Sequence, residues 1–126
     1  MNRTVVITGA SSGIGRALAV EFARRGYHLG LTARRLGALE ELREELQPLG
    51  DGTRKIAIAA LDVDLTASVG PTLHSLFAEL GQVDTVVVNA GVNAFTAIGK
   101  GSLLQEQQVL QTNLLGAIAT VNAAAE

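Results

Sequence analysis

Cysteine is absent from the sequence, which excludes disulfide staples and thiolate metal sites and suits a cytoplasmic protein. No apolar stretch approaches the roughly 18 residues that a bilayer span requires. The apolar run that follows Met1-Asn2-Arg3-Thr4 is too short for a signal-peptide core. The chain therefore reads as soluble and intracellular, with no membrane partner. A marked excess of charge is missing as well. The net charge of −2 offers no general attraction to nucleic acid or anionic lipid, so an anionic ligand must be met by local groups. Repeats, linkers and low-complexity tracts are also lacking, and residues 1–126 read as one domain. What is present is apolar. Hydrophobic residues make up 48% of the chain and charged residues 17%, far from a disordered composition. A chain of this size removes about two-thirds of its accessible surface on folding, enough for a core.

Strand and helix patterns alternate. Residues 4–8 are an unalternating, β-branched run, as in a strand buried on both faces of a parallel sheet. Ile14, Leu18 and Phe22 fall four apart and predict a helix over 13–25 with that stripe facing inward, closed by Gly26. Residues 27–33 read as a second strand. Leu36, Leu39, Leu42 and Leu46 mark a second helix, stopped by Pro48 and Gly50. Asp51-Gly52 is a turn signal, and 55–61 a third strand. A third helix over 66–80 faces Leu73, Leu76, Phe77 and Leu80 inward and ends at Gly81. Residues 83–89, with Val86-Val87-Val88, form the clearest buried strand. A long helix from about 102 to the end is striped by Leu103, Leu110, Leu114 and Val121. This order predicts an α/β fold, a doubly wound, Rossmann-like parallel sheet of about four strands.

In such a sheet ligands bind outside the carboxyl ends of the strands, beside the first one. There the chain reads Thr8-Gly9-Ala10-Ser11-Ser12-Gly13-Ile14-Gly15. A phosphate needs backbone N–H groups aimed at it and a helix N-terminus behind them. Gly9 permits the tight turn off the strand, Gly13 the approach of backbone to phosphate, and Gly15 close packing of helix on sheet. Ser11 and Ser12 add hydroxyl donors. The plain alternative is a glycine-rich turn without a ligand, which the strand-before, helix-after context disfavours. Gly99-Lys100-Gly101-Ser102 lacks the leading glycine of a Walker loop and reads as a surface loop.

The glycine loop resembles the cofactor loop of the short-chain dehydrogenase/reductase family, with its Thr-Gly-x-x-x-Gly-x-Gly spacing. Three further stretches are similar to family motifs. Leu61-Asp62-Val63 resembles the segment whose Asp contacts adenine. Val88-Asn89-Ala90-Gly91 resembles Asn-Asn-Ala-Gly at the end of the fourth strand, with Val88 for the first Asn. Thr112-Asn113-Leu114-Leu115-Gly116 resembles the helix segment whose Asn joins the catalytic tetrad. The resemblance spans nearly the whole chain. It implies a dinucleotide cofactor held by Gly9, Ser11, Ser12, Gly13, Ile14 and Gly15 at the pyrophosphate and by Asp62 at the adenine. Asn89, Ala90 and Gly91 would line the nicotinamide-side ribose, and a small carbonyl or alcohol would be the substrate. Strand order 3-2-1-4 follows, with the fourth strand at an open edge.

In a dinucleotide fold, a carboxylate at the end of the second strand selects NAD through the ribose 2′-hydroxyl. Here that position reads Thr32-Ala33-Arg34-Arg35, and the next acid is Glu40. A guanidinium hydrogen-bonds a 2′-phosphate that a carboxylate would repel. NADP(H) is therefore expected in preference to NAD(H), with Arg34 as the phosphate ligand and Arg35 as second candidate; a solvated pair of arginines is the alternative. Arg16 either approaches the phosphates or points to solvent. Asp62 and Asp64 do not fill a divalent-cation shell, so Asp64 is read as a turn or cap residue. His28 and His74 stand at no catalytic spacing and read as structural or exposed.

Family members protonate the developing oxyanion with a Tyr whose pKa is lowered by a Lys four residues later, aided by a Ser and an Asn. Four residues after Tyr27, the one tyrosine, stands Leu31, and the lysines are Lys55 and Lys100. Of the tetrad only Asn113 is present. The chain thus reads as the amino-terminal, cofactor-binding portion of an oxidoreductase, incomplete relative to the family. The alternative is a non-catalytic dinucleotide-binding or interaction module. An open apolar sheet edge further predicts a homo-oligomer, or association through that edge.

Overall fold

The computed structural model describes residues 3–50, 52–90, 104, 107 and 111–126 of the chain. Strand β1 (Thr4–Thr8) is buried at all five positions. Helix α1 (Gly13–Arg24) follows, and Gly26, at φ 82°, ends it with its N–H on the Ala23 carbonyl at 3.0 Å. Then come β2 (His28–Ala33), α2 (Leu36–Leu46), β3 (Ile56–Ala60), α3 (Thr66–Leu80) and β4 (Thr85–Val87). After the fourth strand, the described residues form a π-helical turn, Gln111–Gly116, that runs into α4 (Ala117–Ala125).

The four strands are parallel in the order β3-β2-β1-β4, a doubly wound α/β sheet. Side chains alternate across a strand, and β1 divides accordingly. Val5 and Ile7 join Leu29, Leu31, Leu39 and Leu46 under α1 and α2. Val6 joins Ala57, Val69, Leu73, Leu76 and Leu80 under α3, with Ala123 from α4. Ile7, Leu29 and Leu31 are fully buried, each contributing about 1.5–3 kcal/mol relative to an exposed position. At the amino end of the sheet, the Asp84 carboxylate accepts the Thr4 N–H at 2.8 Å while the Asp84 N–H donates to the Thr4 carbonyl at 3.0 Å, which sets β4 against β1.

Two helices bury a different face from the one that hydrophobic spacing predicts. On α1 the buried residues are Gly15, Ala19 and Ala23, and Ile14 is 72% exposed, with Leu18 and Phe22 only half-buried. The reason is close approach, since Gly15 lies so near the Gly9 carbonyl and the Asn89 amide that only small residues fit the seam. The last helix behaves alike. Gly116, Thr120 and Ala123 face inward, whereas Leu114 and Val121 are exposed. A Cβ on Gly116 would stand 2.8 Å from the Val63 carbonyl oxygen, so this seam too is narrow. Leu36 is exposed at the start of α2. Strand β4 is shorter than the predicted 83–89 and only half-buried, and among the described strands it pairs with β1 alone. Asp51, Leu103, Leu110 and the loop 99–102 lie outside the described residues.

Candidate functional site

Carboxyl ends of all four strands converge on one cleft of about 290 Å³. Its walls are the glycine loop with the start of α1, the segment 32–34 after β2, the segment 61–64 after β3, and Asn89 and Ala90 after β4. Thr112 of the π-helical turn closes one side.

The loop is shaped by the end of β1. Gly9 takes φ 65°, a conformation that disfavours any Cβ, and a Cβ there would lie 2.8 Å from the Ala90 Cα. Thr8 is fully buried, and its Oγ1 accepts the Asn89 N–H at 3.0 Å and the Ala90 N–H at 3.2 Å. The same hydroxyl donates to the Val87 carbonyl at 3.4 Å. In return, Asn89 Nδ2 donates to the carbonyls of Thr8 (3.3 Å) and Gly9 (3.2 Å). Loop and fourth strand are thereby locked together. Across the loop, the Ala10 N–H donates to the Thr32 carbonyl at 3.0 Å and ties it to β2.

Ser12 caps α1 in an extended conformation without using its hydroxyl on the helix, and the first turn carries no acidic residue. The leading N–H groups of a helix have no intrahelical acceptor. Together with the helix dipole they form an anion-binding end, open to the cleft. Arg16 does not join it: its guanidinium is paired with Glu45 of α2.

Gly9, Ser11, Ser12, Gly13, Ile14, Arg34, Asp62, Asn89 and Ala90, each singled out from sequence, line the cleft. Gly15 lies just behind it, in the α1 seam. Arg35 is the exposed N-cap of α2 and is not a lining residue. Asn113 is exposed in the π-helical turn, and its neighbour Thr112 lines the cleft instead. Gly91 lies outside the described residues. Both aspartates line the cleft and take part in the turn after β3. Asp62 Oδ1 accepts the Asp64 N–H at 3.0 Å and so makes the turn bond itself, and the Asp64 carboxylate accepts the Thr112 hydroxyl. His28 and His74 are structural. His28 Nδ1 accepts the Lys55 N–H at 2.8 Å, and His74 Nε2 lies 3.2 Å from the Ala123 carbonyl oxygen.

Sequence reasoning missed Thr8 as the clamp, and Thr32, Ala33, Leu61, Val63, Asp64 and Thr112 as lining. Position alone marks four of these, since residues at the carboxyl ends of parallel strands face the crevice. No local pattern pairs Asp64 with Thr112, which is 48 residues away.

Comparisons with known proteins agree with this architecture. The short chain dehydrogenase family model matches residues 3–126. An uncharacterized oxidoreductase of Mycobacterium tuberculosis is 39% identical over 120 residues, covering 95% of this chain and 47% of that protein. The chain spans about half the length of the curated relatives it matches. An alcohol dehydrogenase from the archaeon Thermococcus sibiricus, complexed with 5-hydroxy-NADP, matches with a TM-score of 0.91 at 36% identity, covering 98% of this chain and 52% of that one. A short chain dehydrogenase/reductase from Burkholderia phymatum, in complex with NAD, matches with a TM-score of 0.87 at 29% identity, covering 98% and 43%. Among the described residues no helix is long and apolar enough to cross a membrane. By sequence, strand order and the build of its cleft, the chain belongs to the short-chain dehydrogenase/reductase family of oxidoreductases, which bind a nicotinamide dinucleotide, and it corresponds to their amino-terminal portion.

Proposed function

We propose that the chain is the cofactor-binding part of a cytoplasmic short-chain oxidoreductase that takes NADP(H) in preference to NAD(H). Arg34 carries the reading. It stands on the cleft wall at the end of β2, exposed and without an ion-pair partner among the described residues, where an NAD-selecting carboxylate would otherwise be. The Thermococcus sibiricus relative, bound to an NADP derivative, is in line with this, although the Burkholderia phymatum relative holds NAD.

In this reading Gly9, Ser11, Ser12, Gly13, Ile14 and Gly15 hold the pyrophosphate at the start of α1. Arg34 binds the 2′-phosphate, with Arg35 as the second cation nearby. Asp62 meets the adenine, and Asn89, Ala90 and Gly91 line the nicotinamide-side ribose. When bound, the nicotinamide exchanges a hydride with a carbonyl or alcohol carbon. The accompanying proton needs an acid near working pH. Asn113 is the tetrad member this chain supplies, and the Ser, Tyr and Lys come from outside it. Titration of the chain with NADPH and NADH tests the reading; equal affinities would sink the NADP preference.

A non-catalytic dinucleotide-binding module is the second reading. The Tyr27 ring packs edge-on against Phe22, centroids 4.8 Å apart, just before β2 and so at the end of the sheet away from the cleft. Neither a tyrosine nor a lysine lines the cleft among the described residues. NADPH oxidation by the chain with a panel of aldehydes and ketones would eliminate this second reading.

The open edge of β4 is the proposed association surface, in a homo-oligomer or with a further polypeptide. Val86 and Val87 are half-buried and Val88 is 37% exposed beside an edge with no second partner among the described strands. Such an edge is a template for further pairing. A monodisperse monomer in sedimentation velocity would refute the association.

A further inference from the structure

The segment after β3 touches two places that the cofactor reading keeps apart. At one end Asp62 stands in the cleft beside Ala33 and Arg34, on the adenine side. At the other, Asp64 holds the π-helical turn that carries Asn113. The Thr112 hydroxyl donates to the Asp64 carboxylate, and Gln111 Nε2 donates to the Asp64 carbonyl at 3.1 Å. One turn further on, Gly116 rests on Val63 so closely that a Cβ would stand 2.8 Å from its carbonyl oxygen. Within the segment, Asp62 Oδ1 accepts the Asp64 N–H at 3.0 Å, and the Leu65 N–H donates to the Asp62 carbonyl at 3.0 Å. Four residues thus form one stiff turn between the adenine wall and the helix.

We propose that Asp64 and Thr112 are positioning residues, a latch through which occupation of the adenine side orders the π-helical turn and sets the place of Asn113. The inference rests on the cofactor reading above, but not on the choice between NADP and NAD. A π-helical turn is rare and is frequently found at functional sites. Here three contacts that hold it, from Thr112, Gln111 and Gly116, come from one segment. A ligand that stiffens residues 62–64 lowers the entropy cost of holding Thr112 and Gln111 in place. By linkage, an ordered turn must in return favour the adenine ligand by the same factor.

Adenosine 5′-monophosphate is the probe, because it carries the adenine half shared by both dinucleotides and no nicotinamide. Amide hydrogen exchange is measured on the full chain with and without saturating nucleotide, alongside NMR shifts of the loop residues 9–15 and of Asp62. The expected result is binding, seen as shifts at 9–15 and 62, together with slowing of exchange at 111–116 by about fivefold or more, the lower end of typical coupling between sites. Thr112→Val removes the hydroxyl at nearly constant shape. Because Thr112 lines the cleft and coupling is reciprocal, it is expected to bind the nucleotide more weakly by about the lost coupling factor. With nucleotide raised again to saturation, it should show the shifts at 9–15 and 62 without the slowing. Thr112→Ser restores the donor and is expected to restore the slowing. Asp64→Ala, on the acceptor side, should behave as Thr112→Val does and serves if that variant does not fold. Shifts at 9–15 and 62 with unchanged exchange at 111–116 would overturn the latch and leave the cofactor reading standing. Full slowing in both Thr112→Val and Asp64→Ala would also overturn it. Absence of any shift at 9–15 and 62 would bring down both.

Discussion

Thr8 and Asn89, 81 residues apart, each satisfy the other's backbone: the Thr8 hydroxyl accepts the Asn89 N–H at 3.0 Å, and the Asn89 side-chain amide donates to the Thr8 carbonyl at 3.3 Å. This reciprocal clamp holds the glycine loop over the end of the fourth strand, and the shape of the cleft depends on it. Thr8→Val should leave the N–H groups of Asn89 and Ala90 without an acceptor. A buried donor left unmade costs about 1–3 kcal/mol. Urea unfolding should report that loss, nucleotide affinity should fall with it, and Thr8→Ser should recover both.

Gly15 and Gly37 make a controlled pair. Gly15→Ala drives a methyl to 2.6 Å from the Asn89 amide nitrogen and into the Gly9 carbonyl. Overpacking of this kind costs about 1–3 kcal/mol, and here it also pushes α1 off the loop, so nucleotide binding should weaken. At Gly37, inside α2, an added Cβ meets nothing within 4 Å. Gly37→Ala, at the second position of α2, should stabilise through helix propensity by less than the roughly 0.5–1 kcal/mol of a helix interior and leave binding unchanged. Thermal unfolding of the two variants should shift in opposite directions.

Arg34→Ala should separate the cofactors. Hydrogen bonds to charged groups contribute about 1.5–3 kcal/mol, so NADPH affinity is expected to fall about tenfold or more while NADH affinity stays nearly constant. Arg35→Ala should show a smaller loss, since Arg35 does not line the cleft. Fluorescence titration at fixed salt decides it; an unchanged NADPH/NADH ratio in Arg34→Ala would remove Arg34 as the phosphate ligand.

Asp84 offers a stability test far from the cleft. Its carboxylate accepts the N–H of Thr4, a residue that is 3% exposed at the entry of β1. Asp84→Ala should cost about 1.5 kcal/mol and lower the urea midpoint, with nucleotide affinity little changed because the carboxyl ends of the strands are untouched. A matching loss of affinity would mean that the amino end of the sheet also positions the loop.

Much of this molecule is legible in the order of its residues, because the information is local. The β-branched run of β1, the glycines at 9, 13 and 15, the leucine stripe of α2 and the turn at Gly26 each declare themselves within a few positions. Their alternation requires a parallel doubly wound sheet, and that sheet puts the glycine loop at the ligand crevice. The missing carboxylate after β2 is equally plain in the sequence.

Tertiary structure decided what depends on how closely elements approach. Hydrophobic spacing turns Ile14, Leu114 and Val121 inward, yet the seams of α1 and the last helix are too narrow for them, and Gly15, Ala19, Gly116 and Thr120 are buried instead. The loss of Arg16 to Glu45, the Thr8–Asn89 clamp and the bond from Thr112 to Asp64 join residues 29 to 81 positions apart. Sequence by itself determined the elements, their order and the kind of loop that faces the cleft. Only the folded chain decided which side chains meet there, because hydrogen bonds and close packing between distant segments leave no periodic trace in the segments themselves.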